Sequence, residues 1–124
     1  MTTPYTLLLV ENDDDPFWAS RLTNAMSGLA NIARVSESEL LPRLQETHCD
    51  LILVDAVSVS NVVKFVQRLK KKKCEIPIVV ITASPTPEIA RSLFRAGAAD
   101  YIRQSLDEAD VRNDLLDIIK RSKL

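Results

Sequence analysis

Short apolar runs alternate with longer amphipathic segments along the whole chain, and this alternation restricts the fold more than any other feature. The runs lie at 6–10, 32–35, 50–54, 76–81 and 100–103, and three of them (TLLLV, DLILV and IPIVVI) are almost entirely apolar. Such runs are typical of strands that helices cover on both faces of a parallel sheet. The order βαβαβαβαβα therefore predicts an α/β fold, a single three-layer domain built on a doubly wound, five-stranded parallel (βα)5 sheet.

The amphipathic segments contain the start and stop signals of helices. Pro42 falls inside the second segment and predicts a short or kinked helix there. Gly97 is expected to cap the C-terminus of the fourth helix. The expected N-terminal signals are, in chain order, Asp14 or Asp15 with Pro16, Ser38, Pro87, and Ser105 with Glu108 as a capping box. The residues expected to face the core are Trp18, Leu22, Ala25, Met26 and Leu29, then Leu40, Leu41 and Leu44, then Val62, Val66 and Leu69, then Ile89, Leu93 and Ala96, and finally Val111, Leu115, Ile118 and Ile119.

The composition excludes several classes of protein. The 124 residues fit one domain, which we place at 1–124, and 17 acidic against 16 basic residues indicate neither a nucleic acid nor a membrane as a partner. Two glycines cannot form a glycine-rich phosphate loop, and one histidine argues against a histidine metal site or a hydrolytic triad. Cys49 and Cys74 lack metal-site spacing and are expected to be buried free thiols. The absence of a signal peptide and of a long apolar span predicts a cytoplasmic protein.

Polar and acidic side chains directly follow four of the apolar runs. The carboxyl ends of parallel strands meet at one edge of a sheet, where open α/β folds bind their ligands. Clustered carboxylates repel each other unless a cation joins them, and Mg²⁺ prefers oxygen ligands of this kind. Each residue alone is also an ordinary turn or cap residue, so their convergence is what indicates a site. The residues are Glu11, Asn12 and Asp13 after the first run, Asp55 after the third, Thr82 after the fourth and Gln104 after the fifth.

Four segments, LLLVEN, DLILVD, IPIVVITA and AGAADYI, resemble in order and separation the receiver domains of bacterial response regulators, which have the flavodoxin/CheY-like fold. The resemblance implies that Asp55 accepts a phosphoryl group from the histidine of a partner histidine kinase or phosphotransfer protein. It also implies Mg²⁺ as a cofactor. The implied metal ligands are Glu11, Asn12, Asp55 and the backbone carbonyl of Val57, with Asp13 as a further candidate.

The same resemblance implies a conformational switch. Thr82 would supply the switch hydroxyl, with Ala83 as its small neighbour, and Tyr101 would be the aromatic switch residue. A downstream protein partner would bind the surface formed by the fourth helix, the fifth strand and the fifth helix.

Several positions depart from the family pattern. The family's second acid is Asn12 here, which removes one negative charge and lowers the expected affinity for Mg²⁺. The family's lysine after the fifth strand is Gln104, which can donate a hydrogen bond to a phosphoryl oxygen but brings no charge. Loss of one such preorganised donor typically costs about 2.7–4 kcal/mol of transition-state stabilisation. The loop AVSVSNVV also lacks the family's Met-Pro and glycine, so we expect it to have a different shape.

Three functions remain open from the sequence. The first is a receiver that is phosphorylated on Asp55 and changes its affinity for a partner. The second is a pseudo-receiver, an interaction module with weak or no phosphorylation, which Asn12 and Gln104 favour. The third is a small Mg²⁺-dependent phosphotransfer enzyme with Asp55 as nucleophile. Because no cap domain or substrate pocket is indicated, we expect a signalling protein rather than an enzyme.

Overall fold

The computed structural model of the protein describes residues 4–11, 17–56, 59, 61–72, 74–82, 86–104 and 107–122, with the side chains of Phe17 and Trp18 excepted. Five strands alternate with five helices in this part of the chain. The strands are Tyr5–Val10 (β1), Ala30–Val35 (β2), Leu51–Asp55 (β3), Ile78–Thr82 (β4) and Asp100–Arg103 (β5). The helices are Phe17–Ala25 (α1), Glu37–Glu46 (α2), Val62–Lys71 (α3), Pro87–Ala96 (α4) and Glu108–Ser122 (α5).

The strands form one parallel sheet in the order β2-β1-β3-β4-β5. This confirms the predicted doubly wound (βα)5 architecture. From β1 the chain adds β2 on one side of the sheet and then crosses over to add β3, β4 and β5 on the other side. The direction in which strands are added therefore reverses between β1 and β3. β3 ends one residue later than expected, at Asp55, because Asp55 still pairs with Ile81 of β4.

The sheet separates two hydrophobic clusters. Alternate residues of β1 and β3 point to opposite faces, so Leu8 and Val54 pack with α2, α3 and α4, whereas Leu9 and Leu53 pack with α1 and α5. Every residue of β3 and β4 is buried. This is why these strands consist of apolar residues without polar alternation, and why a polar residue at their ends is conspicuous.

The start of α2 differs from the prediction. Ser36, not Ser38, is the N-cap residue. The hydroxyl and the amide of Ser36 donate to a carboxylate oxygen of Glu39 at 2.7 and 3.2 Å, and these hydrogen bonds lower the pKa of Glu39 below its usual value. Pro42 lies inside this 10-residue helix, in agreement with the expected short helix.

The start of α5 also differs. Asp107 accepts hydrogen bonds from the backbone N–H groups of Ala109 at 2.9 Å and Asp110 at 3.3 Å. Because Glu108 is the first helical residue, it is too early in the helix to complete a capping box with Ser105, which itself lies outside the described residues. The signals Asp14, Asp15 and Pro16 of the first helix also lie outside them.

The boundaries of α4 are confirmed, but one of its inward positions is wrong. Pro87 opens the helix and Gly97 caps it in the left-handed conformation, with φ 114°. Leu93 is buried as expected, whereas Ile89 is 42% exposed. The reason is that α4 flanks the edge strand β5, so the core covers only a narrow stripe of this helix.

The other inward positions largely agree with the prediction. The clusters contain most of the expected stripe residues, with Leu41, Leu44 and Val62 only half-buried. Leu29 is half-buried and lies outside both clusters, and the side chain of Trp18 lies outside the described part of the structure. Cys49 is buried, but Cys74 is half-buried, so the expectation of two buried thiols holds for one of them. In the described part of the chain, no helix is both long and apolar enough to cross a membrane.

Candidate functional site

The sheet brings the carboxyl ends of four strands to one edge. Val10 pairs with Val54, so Glu11 and Asp55 lie level at the ends of neighbouring strands, on either side of the reversal of strand order. On the far side of Asp55, Thr82 ends β4. Gln104 follows β5 and donates its N–H to the Thr82 carbonyl at 2.7 Å. The structure thus places Glu11, Asp55, Thr82 and Gln104 along one edge, as the sequence predicts.

Burial distinguishes this edge from the rest of the surface. Among the described residues, the buried polar or charged side chains are Glu11, Asp50, Asp55 and Thr82. Asp50 lies at the opposite end of β3, where its Oδ2 accepts the N–H of Thr6 at 2.8 Å and its Oδ1 lies 3.0 Å from His48 Nε2. These contacts explain Asp50 as a structural residue. The other three share one edge, where buried polar groups indicate a functional site.

Glu11 is paired with a cation that sequence reasoning missed. Its Oε1 forms an ion pair with Nε of Arg34 on β2, and the Glu11 side chain is only 2% exposed. The strand register explains the contact, because Arg34 pairs with Leu9, and Glu11 lies two residues further along the chain from Leu9. No local motif around Arg34 signals this role. Only the pairing of β1 with β2 brings the two side chains together.

Thr82 and Tyr101 lie on neighbouring strands, β4 and β5. Tyr101 pairs with Val80, two residues before Thr82, and Tyr101 packs against the hydrophobic cluster that contains Val80. Residues two apart on a strand share a face of the sheet. Tyr101 is half-buried and Arg103 is exposed, so Tyr101 is the β5 side chain that links this face to the core.

Part of the expected site lies outside the described residues. This applies to Asn12, Asp13, Val57 and Ala83, and nothing is concluded about their placement. Within the described ranges, no group of three or more His, Cys, Asp and Glu residues is close enough to hold a metal ion. The site therefore contributes two carboxylates, of Glu11 and Asp55, from this part of the chain.

The two carboxylates have the chemistry that Mg²⁺ requires. Mg²⁺ is a hard cation that is usually held by one or two carboxylates together with water and phosphate oxygens. Glu11 and Asp55 supply such oxygens at the ends of adjacent strands. By their chemistry, both residues are suitable ligands for Mg²⁺. Glu11 also has Arg34 as an ion-pair partner.

Helix α4 has two large apolar side chains that are exposed. Ile89 is 42% exposed and Phe94 is 48% exposed, and these are the large hydrophobic side chains that the described residues leave exposed. β5 and α5 follow α4 directly in the chain. The family resemblance implies a partner surface on these three elements.

The fold and the site together define a class of protein, a doubly wound α/β domain with an acidic edge on its parallel sheet. Comparison with protein families narrows the class. The family model of the response regulator receiver domain matches residues 8–116. The chain therefore belongs to the response regulator receiver domain family, whose members act in two-component signalling and generally bind Mg²⁺ at an acidic pocket.

Solved structures agree with this assignment. A response regulator from Thermotoga maritima has a TM-score of 0.83 at 19% identity, covering 95% of this chain and 99% of that one. The receiver domain of a Francisella response regulator has a TM-score of 0.80 at 16% identity, covering 97% and 99%. An orphan response regulator of H. pylori has a TM-score of 0.76 at 21% identity, covering 93% and 96%. At these identities the likeness shows the fold. No curated protein sequence matches the chain significantly.

Proposed function

We propose that this protein is a cytoplasmic receiver that accepts a phosphoryl group on Asp55 from the histidine of a partner histidine kinase or phosphotransfer protein. The observation that carries the proposal is the position of Asp55, a buried acid that ends the central strand β3 beside Glu11. Open α/β sheets bind their ligands at the carboxyl ends of the strands, so a functional role is favoured at this position.

In the proposed reaction, a carboxylate oxygen of Asp55 attacks the phosphorus of the partner's phosphohistidine. The O–P bond forms, the P–N bond breaks, and the electron pair of that bond returns to the imidazole, which takes up a proton. When bound, Mg²⁺ supplies positive charge next to the phosphoryl oxygens, and Glu11, Asn12, Asp55 and the Val57 carbonyl would hold it, with Asp13 as a further candidate. Gln104 contributes a neutral hydrogen-bond donor where the family has a charged one.

Phosphorylation of the site would change the conformation of a partner-binding surface through Thr82 and Tyr101. The Thr82 hydroxyl would turn towards the phosphoryl group, and Tyr101 would follow into the space near Val80 on the shared face of the sheet. The proposed partner surface consists of α4, β5 and α5, where Ile89 and Phe94 are exposed. A downstream protein would cover these apolar side chains.

Intact mass spectrometry with acetyl phosphate and Mg²⁺ tests the phosphorylation. We expect one phosphoryl group per chain in the wild type and none in Asp55→Asn. Asp114→Asn is the matched control, because Asp114 is an exposed acid on α5 and its loss should not change the mass gain. If the wild type gains no mass at millimolar Mg²⁺, phosphorylation is excluded as the function.

Amide chemical shifts of the beryllofluoride-treated protein test the switch. We expect changes at Thr82, Tyr101 and α4, with α2 unaffected. Thr82→Ala should retain the mass gain on Asp55 but lose the shift changes at Tyr101 and α4. Shift changes that persist in Thr82→Ala would show that Thr82 does not transmit the signal.

The second candidate, a pseudo-receiver, is favoured by Asn12 and Gln104, which both weaken the chemistry at Asp55. Under that function, the wild type gains no mass, and the double variant Asn12→Asp with Gln104→Lys restores phosphorylation. A double variant that also remains unmodified would show that these two positions are not the cause. Turnover of a small phosphate ester would instead indicate a phosphotransfer enzyme.

A further inference from the structure

The ion pair between Arg34 and Glu11 brings a permanent positive charge to the acidic edge. Arg34 contributes the guanidinium group, and the side chain of Glu11 is almost fully shielded from water. A buried carboxylate needs a partner of opposite charge, and Arg34 supplies it within the chain. The carboxylate therefore has a counter-charge without a bound metal ion.

This arrangement conflicts with metal binding at the same carboxylate. A divalent ion held by Glu11 and Asp55 would lie close to the Arg34 guanidinium, and two cations at such separation repel each other. The pair also occupies Oε1, one of the two oxygens with which Glu11 could coordinate a metal. Arg34 and the metal ion thus compete for the same negative charge.

We propose that Arg34 acts as a built-in counter-cation of the site and that Mg²⁺ must displace it from Glu11 in order to bind. The inference rests on the proposed function, since it concerns the metal of the phosphorylation site. Its consequence is that Arg34, and not only the Asn12 substitution, sets the affinity of this protein for Mg²⁺.

The two partners of the ion pair differ in exposure. The Arg34 side chain is 39% exposed, whereas Glu11 is enclosed, so the arginine is the partner that can leave towards solvent. β2 is an edge strand, and among the described residues no further strand lies beyond it. The side chain also borders a shallow depression between α1 and β2, which is lined by Ala19, Ser20, Thr23, Asn24 and Ile32.

Calorimetric titration with Mg²⁺ tests the competition. An energetic coupling between two interactions in one protein typically changes an affinity about 5–150-fold. We therefore expect Arg34→Met to bind Mg²⁺ at least about 5-fold more tightly than the wild type. Arg103→Met is the matched control, because Arg103 is an exposed strand arginine at the same edge, and its loss should leave the affinity nearly unchanged. The inference would be overturned if Arg34→Met bound Mg²⁺ no more tightly than the wild type. It would also be overturned if Arg34→Met and Arg103→Met gained affinity for Mg²⁺ equally.

A second measurement uses the wild type and so does not depend on the folding of a variant. The Nε–H resonance of Arg34 should move from the position of a paired guanidinium to that of a hydrated one as Mg²⁺ is added. A resonance that stays in place while Mg²⁺ saturates the protein would contradict displacement. Absence of Mg²⁺ binding in both the wild type and Arg34→Met would contradict it too.

The outcome can be separated from that of the proposed function. Phosphorylation is measured by the mass gain on Asp55, while the inference is measured by metal affinity and by the Arg34 resonance. A wild type that is phosphorylated, with Arg34→Met unchanged in affinity, would sustain the function and refute the competition. A protein that shows the competition but no mass gain would refute the function alone.

Discussion

Two buried acids bracket β3, and their surroundings give them different roles. Asp50 is held by the Thr6 amide and by His48, and the Asp50 N–H donates to the Thr6 carbonyl at 2.8 Å. Asp50 therefore joins the start of β3 to β1. Asp55 lies at the other end, beside Glu11, at the edge where the fold binds ligands. The same residue type is structural at one end of the strand and a candidate for chemistry at the other.

Replacing Asp50 by alanine should destabilise the protein. The substitution leaves the Thr6 N–H without its side-chain acceptor in a partly buried position, which typically costs about 1–3 kcal/mol. Urea denaturation followed by circular dichroism measures the change in the free energy of unfolding. Asp114→Ala serves as the control and should change it by less than about 0.5 kcal/mol. Similar values for both variants would show that the Asp50–Thr6 contact contributes nothing.

The two cysteines should differ in reactivity. Burial raises the pKa of the Cys49 thiol to about 11, so at pH 8 almost none of it is the reactive thiolate. Cys74 is half-buried and accessible to a small reagent. Iodoacetamide at pH 8 should therefore label the native protein once, and this label should disappear in Cys74→Ser and remain in Cys49→Ser. Rapid labelling of Cys49 in the folded protein would contradict the prediction.

At the level of elements, the end of α4 depends on glycine. Gly97 has a φ of 114°, and a Cβ at this position would lie 2.7 Å from Cγ of Lys70 on α3. The same glycine therefore ends one helix and allows close approach of its neighbour. The α3–α4 pair contributes to the cluster beneath Tyr101, so the geometry of this corner affects the proposed partner surface.

Gly97→Ala should destabilise the protein more than Gly28→Ala. Both positions have positive φ, which costs a non-glycine residue about 1–2 kcal/mol. Only Gly97 adds a steric contact, because nothing lies within 4 Å of a Cβ at Gly28. The loss of stability caused by Gly97→Ala should come closer to that caused by Gly28→Ala when Gly97→Ala is combined with Lys70→Ala. Thermal unfolding measures all three variants, and equal losses of stability in Gly97→Ala and Gly28→Ala would argue against the contact with Lys70.

For the whole molecule, the single sheet supports both hydrophobic clusters, so its central strands have the largest influence on stability. Leu53 is fully buried in β3 on the α1 and α5 side. Leu53→Ala should lower the free energy of unfolding by about 2–5 kcal/mol, as is typical of buried leucines. Ile32 on the edge strand β2 is only half-buried, and Ile32→Ala should cost less. Chemical denaturation tests the order, which would be refuted by a larger loss at Ile32.

Much of the fold could be predicted because its signals are local. The apolar runs of β1, β3 and β4 show that both faces of these strands are covered, and Pro87 and Gly97 bound α4 correctly. The predicted starts of α2 and α5 are wrong. Several Ser and Asp residues lie near each start, and the sequence does not show which of their side chains accepts a hydrogen bond from a free N–H group of the first turn. Periodicity predicts that Ile89 faces the core, but it does not reveal how far the neighbouring elements extend, and Ile89 is exposed.

The candidate site divides in the same way. The sequence alone shows that acids and a hydroxyl follow the strands. Because the strands are parallel, their carboxyl ends lie at one edge of the sheet, and Glu11, Asp55 and Thr82 could therefore be predicted to lie there. The sequence could not establish that Arg34 neutralises Glu11, because that contact joins residues 23 positions apart through the register of β1 with β2. Residues that directly follow a strand can be read from the sequence because they are consecutive in the chain. The electrostatic state of a buried carboxylate, in contrast, depends on every charge that the tertiary structure places near it.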